Sequence, residues 1–168
     1  MRYGKTFYRW LFYALAAGAC LMVQGLILDR LRLWGIHPFL PPVLVAVAAA
    51  REERQESLCA AAVFGLVCDL TMSPVIPCFY ILTFAAAAFL TGLMAKHLIV
   101  PGFFCALAAS VLAIVLNGAF HTLFLTYRGV GNFAASAAIT GSELLLTLPL
   151  MPLIYLLYGP IHRRFQAD

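Results

Sequence analysis

Four polar residues stand where an apolar chain has least use for them: Asp69, Asn117, His121 and Glu143. Each lies in or at the end of a long apolar run, where an ionisable or amide group is costly, faces the interior of a bundle and marks a candidate site. Asn117 and His121 are four residues apart and share one helix face, which Ser110 extends seven residues earlier. The chemistry open to such a set is proton carriage, metal ligation or hydrogen bonding. Metal ligation fails on spacing, because no second ligand accompanies His121. Proton carriage by Asp69 and Glu143 has no inverted repeat behind it. Hydrogen bonding remains, either between helices of the chain itself, where a bond is worth about 1 kcal/mol, or to a ligand or a partner's helix. No GxSxG, HExxH, phosphate-binding loop, paired carboxylates or Cys/His dyad is present, so neither an enzyme nor a bound cofactor is expected. Cysteines 20, 59, 68, 78 and 105 lie in apolar stretches without CxxC spacing and are expected to serve as small packing residues.

The elements that position these residues follow from composition. Of 168 residues, 64% are hydrophobic and 11% charged, more apolar surface than a soluble core of this size buries. A bilayer core about 30 Å thick needs about 20 helical residues per crossing. The chain divides accordingly into an all-α membrane bundle of about six spans in a single domain, residues 1–168, with approximate spans 10–28, 40–50, 58–70, 78–94, 103–125 and 136–157. Ala17-Gly18-Ala19-Cys20 resembles a lipoprotein processing site, but the apolar run continues through Leu28, so this is expected to be a retained span. Pro41 and Pro42 open the second span at positions suited to a helix start. The second and third spans are short and read as a hairpin. The sixth, extended back to about Phe133 or Ser136, places Glu143 below the surface, with Tyr155 and Tyr158 as an interfacial anchor.

Orientation comes from counting Lys and Arg in alternate loops. With the N-terminus inside, the cytoplasmic side holds Arg2, Lys5, Arg9, Arg51, Arg54, Lys96, Arg163 and Arg164, against Arg30, Arg32 and Arg128 outside. Both termini are therefore expected in the cytoplasm, and the basic inner rim suits anionic lipid rather than nucleic acid. On this topology Asp69, Asn117, His121 and Glu143 all fall in the outer half and are expected to converge. Ala14-x-x-x-Gly18 and Ala88-x-x-x-Gly92 have the spacing that lets helices approach closely.

The stretch Val63-Phe64-Gly65-Leu66-Val67-Cys68-Asp69-Leu70, a proline-containing turn and a span ending in Leu90-Thr91-Gly92 resemble the bacterial rod shape-determining protein family MreD. Gly65, Leu66, Asp69, Leu70, Pro74 and Gly92 occupy the places of that family's GLxxDL segment, turn and following glycine, and the likeness covers about residues 10 to 160. In the family an acidic or amide residue often follows the proline opening the second span; here Pro42 is followed by Val43. The resemblance implies a nonenzymatic membrane scaffold of the bacterial inner membrane that binds MreC and connects MreB filaments with RodA and a class B penicillin-binding protein. It also implies a fold similar to the substrate-binding subunits of energy-coupling-factor transporters, so a vitamin-binding subunit is the competing function. The residues expected to contact a partner or form the polar cluster are Gly65, Asp69, Pro74, Asn117, His121 and Glu143, and Asp69→Ala is expected to weaken MreC association at nearly unchanged protein levels.

Overall fold

A computed structural model describes residues 2–30, 36–52, 54–72, 76–100 and 102–166. Among these the chain is helical with no strand: α1 (Arg2–Val23), α2 (Pro41–Ala49), α3 (Arg54–Thr71), α4 (Phe79–His97), α5 (Phe103–Tyr127), α6 (Phe133–Thr147) and α7 (Met151–Gln166). A π-helical turn, Gln24–Leu28, extends α1, and a 3-10 turn, Leu148–Leu150, joins α6 to α7. Four segments are long and apolar enough to cross a bilayer: Trp10–Leu28, Phe79–His97, Phe103–Tyr127 and Phe133–Gly159. They make this a membrane protein. All four coincide with expected spans, the last as two helices with a proline-bearing turn between them. Pro149 accounts for that turn, since it has no amide hydrogen to continue the α-helical ladder.

The two expected short spans are of different kinds. Helix α2 has nine residues, about 14 Å at 1.5 Å per residue, and it lies at the centre of the bundle. Val43, Ala46 and Val47 are fully buried, and Pro41 through Val47 are buried without interruption. One side packs on Cys105, Ala106 and Ile114 of α5 and Met151 and Ile154 of α7; another meets Ala61 and Cys68 of α3 and Phe84 and Ala88 of α4; a third meets Ala87, Ala109 and Ala113. Alanines are frequent at the facing positions, which lets four helices crowd around one. Helix α3 begins at Arg54, inside the stretch expected to be a polar loop, and runs for 18 residues to Thr71.

The chain reaches the start of α2 through the non-helical residues 36–40, packed among the helices. Backbone at such a depth is tolerated only where its polar groups are met by protein. Here they are. The Phe39 amide donates to Thr147 Oγ1 (3.0 Å), the Leu40 amide donates to Gln24 Oε1 (3.0 Å), and Gln24 Nε2 donates to the Pro38 carbonyl (2.9 Å) and to Asp29 Oδ1 (2.7 Å). Pro41 and Pro42 have no amide hydrogens to satisfy, and the Val43 and Leu44 amides both donate to the Leu40 carbonyl. The double proline thus removes two of the donors that a helix start leaves unmet. Gln24 is 1% exposed, and its place in the π turn brings its amide against this segment.

The opposite end of α2 is held by aromatic residues. Tyr13 Oη donates to Glu52 Oε1 (2.7 Å) and the Tyr13 ring stacks on Tyr158 at 5.1 Å. The Arg51 guanidinium lies 3.9 Å over the Tyr155 ring, while its Nη2 donates to the Tyr155 carbonyl (3.2 Å). The expectation that Tyr155 and Tyr158 anchor at a membrane interface is corrected for Tyr158, which is 2% exposed and packs inward. Together the two tyrosines clamp the α2–α3 connection onto α1 and α7.

Candidate functional site

Asp69 lies in the last turn of α3, and its carboxylate closes the N-terminus of α4. Oδ1 accepts from the Tyr80 amide (3.0 Å) and Oδ2 from the Ile81 amide (3.2 Å). A helix start leaves amides without helical partners, and those of the first three residues of α4 are met: Phe79 donates to the Ile76 carbonyl, and Tyr80 and Ile81 donate to Asp69, while Leu82 begins the helical ladder by donating to the Cys78 carbonyl. Cys78, in the capping position, has φ 65° and makes no side-chain cap, so the capping oxygens come from another helix. The negative charge also faces the positive end of the α4 dipole.

Gly65 stands one turn before Asp69 on the same face of α3. A Cβ there would lie 2.7 Å from Ile81 Cα and 2.8 Å from the Ile81 nitrogen and the Tyr80 oxygen, closer than real contacts allow. Gly65 therefore sets how near α3 comes to α4, and that nearness is what lets the Asp69 carboxylate reach two backbone amides. Gly65-x-x-x-Asp69 works as one device. Phe64 stacks on Phe84 at 6.0 Å beside it. Pro74 lies outside the described residues.

The other three candidates do not assemble with Asp69 into one hydrogen-bonded cluster; among the described residues no hydrogen bond joins any two of the four. Glu143 is half-buried on α6. His121 is exposed on α5, with its ring edge-on to Phe79 at 6.3 Å. Asn117 is 9% exposed, and its Oδ1 has no hydrogen-bond partner. Ser110 is fully buried and donates to the Ala106 carbonyl of its own helix (2.7 Å), so the expected stripe ends in a hydroxyl turned back on the backbone. Among the described residues no group of three or more His, Cys, Asp or Glu is gathered to hold a metal.

The space in the molecule lies elsewhere. Helix α1 packs on α7 and stands apart from α3, leaving a groove of about 830 Å³ whose floor is Leu44, Val45 and Ala48 of α2. Its α1 wall is Ala14, Ala17 and Gly18, and its α3 wall includes Cys59, Val63 and Val67; Val63 is 64% exposed, so the groove is open along one side. Of the two small-residue spacings in the sequence, Ala88-x-x-x-Gly92 has Ala88 fully buried in the α2–α4 contact, whereas a Cβ on Gly18 would meet nothing within 4 Å. A second, smaller groove of about 520 Å³ runs between α5 and α6 and includes Gly118, where a Cβ would collide with Thr140.

Sequence reasoning missed Gln24, Thr147 and the Tyr13–Glu52 pair. Gln24 carried a legible signal, an amide inside an apolar span. Thr147 did not, because hydroxyls in helices usually bond their own backbone, as those of Thr83, Ser110 and Thr122 do. Compared with known proteins, the chain matches no family model, no curated protein and no solved structure.

Proposed function

We propose that this chain is a nonenzymatic membrane scaffold of the bacterial cell-elongation machinery, an MreD-like protein of the inner membrane that binds MreC and through it links MreB filaments with RodA and a class B penicillin-binding protein. The observation that supports this reading most is the contrast between its polar and its open regions. A vitamin-binding subunit needs several polar and aromatic groups converging on an enclosed pocket. In this chain Asp69 is spent on the α4 backbone, His121 is exposed, and the larger cavity is an apolar, side-opening groove between α1 and α3. Such a surface suits helix packing, which is how a scaffold works in a bilayer.

In this reading α2 and α3 form an inserted hairpin that completes six passes, with the Arg51 end and both termini in the cytoplasm and the Asp69 end outside. The Gly65-x-x-x-Asp69 device then serves the scaffold by fixing the α3–α4 pair. Affinity purification from the native bacterium is expected to bring down MreC and the elongation synthase, and depletion is expected to turn rod-shaped cells round and wide. Recovery of a pair of transporter ATPases with their membrane coupler as the main partners, and unchanged cell shape, would replace this reading with the transporter subunit.

A further inference from the structure

We infer that Asn117, Thr140 and Glu143 form a binding site for a monovalent cation of the sodium or potassium kind, held between α5 and α6. The site goes beyond the proposed function and does not rest on it. Three oxygens carry it. Asn117 Oδ1 is buried with no hydrogen-bond partner, in a residue that is 9% exposed. The Thr140 hydroxyl makes no hydrogen bond among the described residues, whereas those of Thr71, Thr83, Ser110, Thr122, Thr126 and Ser142 all turn back on their own helix. The half-buried Glu143 carboxylate has neither a hydrogen bond nor an ion pair among the described residues.

Helix packing brings the three together. A Cβ on Gly118 would collide with Thr140 Oγ1, so these two residues mark the line along which α5 and α6 touch. The two helices are joined by a short turn and run antiparallel. Asn117 stands one residue back along α5 from Gly118, and Glu143 three residues on along α6 from Thr140, which is the same direction in space. The two differ in height by about 3 Å at 1.5 Å per residue. At about 100° per residue, Asn117 is turned about 100° from the line of contact and Glu143 about 60°, and in antiparallel helices both turns lead to the same side. Accordingly, neither lines the apolar α5–α6 groove, whose Val115, Ala119 and Ala137 lie on the other side. Thr140 Oγ1 sits at the contact between them.

Oxygens gathered without a donor call for a positive partner, and the chain supplies none here: α5 and α6 hold no Lys or Arg. Glu143 stands ten residues into α6, about 15 Å from its start, at a depth where an unpaired carboxylate is costly. Carboxylate, amide and hydroxyl oxygens are the ligands of a hard cation. Glu143 is the sole acid on the two helices. One negative charge balances one positive charge, which selects a monovalent ion over a divalent one.

The test is the thermal midpoint of the full chain in lipid nanodiscs, in NaCl or KCl against choline chloride at the same ionic strength. With the alkali salt about 100-fold above its dissociation constant, the midpoint is expected to rise by about 5 °C over choline chloride and to saturate. Glu143→Gln keeps the shape, removes the charge and is expected to abolish the rise. Thr140→Val is expected to raise the half-saturating concentration about tenfold, as for a lost bond to a charged group. Asn117→Asp adds a second charge and is expected to bring on a response to CaCl2 that the parent chain lacks, which tests the site even where Glu143→Gln does not fold. Equal midpoints in alkali and choline salts overturn the inference, as does a saturable rise that survives both Glu143→Gln and Thr140→Val. So does a rise produced by acid in choline chloride with no response to alkali salts, since the missing partner is then a proton on Glu143.

Discussion

The Asp69 end of the molecule and the α1–α3 groove use their residues in opposite ways. At the Asp69 end, charge is consumed: both carboxylate oxygens are bonded to α4 amides, and all four first-turn amides of that helix have acceptors. Along the groove, apolar surface of α1 and α3 is left uncovered. The space over Gly18 is open and the wall residue Val63 is largely exposed. In a bilayer the polar residues that draw attention are those the fold can least leave unbonded, so they are the first to be enlisted for structure. The surface left uncovered is lined by alanine, glycine and valine.

That comparison can be broken or sharpened by substitution. The largest effect is expected from Gly65→Leu, whose side chain has no room against the Ile81 backbone and forces α3 from α4; folded protein is expected to vanish from membranes by immunoblot. Gln24→Leu follows, since it strips the Leu40 amide and the Pro38 carbonyl of their partners, with an expected cost of about 2–6 kcal/mol at about 1–3 per buried unmet group, read by unfolding in detergent micelles. Asp69→Ala is expected to cost about 1–3 kcal/mol as a lost cap with two unmet amides, so protein levels fall together with partner association; undiminished levels with lost association would return Asp69 to a contact role. Gly18→Leu is expected to leave stability within about 0.5 kcal/mol by the same measurement, as for surface changes away from special features. His121→Ala is expected to be the mildest, with neither stability nor the copurification of MreC altered measurably; a loss of copurification would place partner surface on α5.

Much of this was legible in the residues. Trp10–Leu28, Phe79–His97 and Phe103–Tyr127 announce themselves by unbroken apolar length, and Pro41-Pro42 by the two amides it deletes. Asp69 stood out as an ionisable residue at the end of an apolar run and Gly65 only through the family resemblance, and what the two do together was not legible. Nothing in a sequence says that a carboxylate on one helix will cap the next, because the partners are backbone atoms and every residue has them. The short α2 illustrates the same limit. Its near-continuous run of Val, Leu and Ala fits a buried core helix and a lipid-facing one equally well, and only the ring of neighbours decides between them.

The enclosure of α2 has a consequence for how the protein is made. Nine residues are too few to partition into a bilayer unaided, and the side chains that surround them come from α3 and α4 on one flank and from α5 and α7 on the other. During synthesis the first flank emerges soon after α2, but the second emerges only from Phe103 onward. Until then, the double proline and its apolar run wait beside a half-built wall. The nascent protein therefore carries this apolar segment unshielded until α5 and α7 have been made, and the packing of α7, the last of these neighbours in chain order, completes the core.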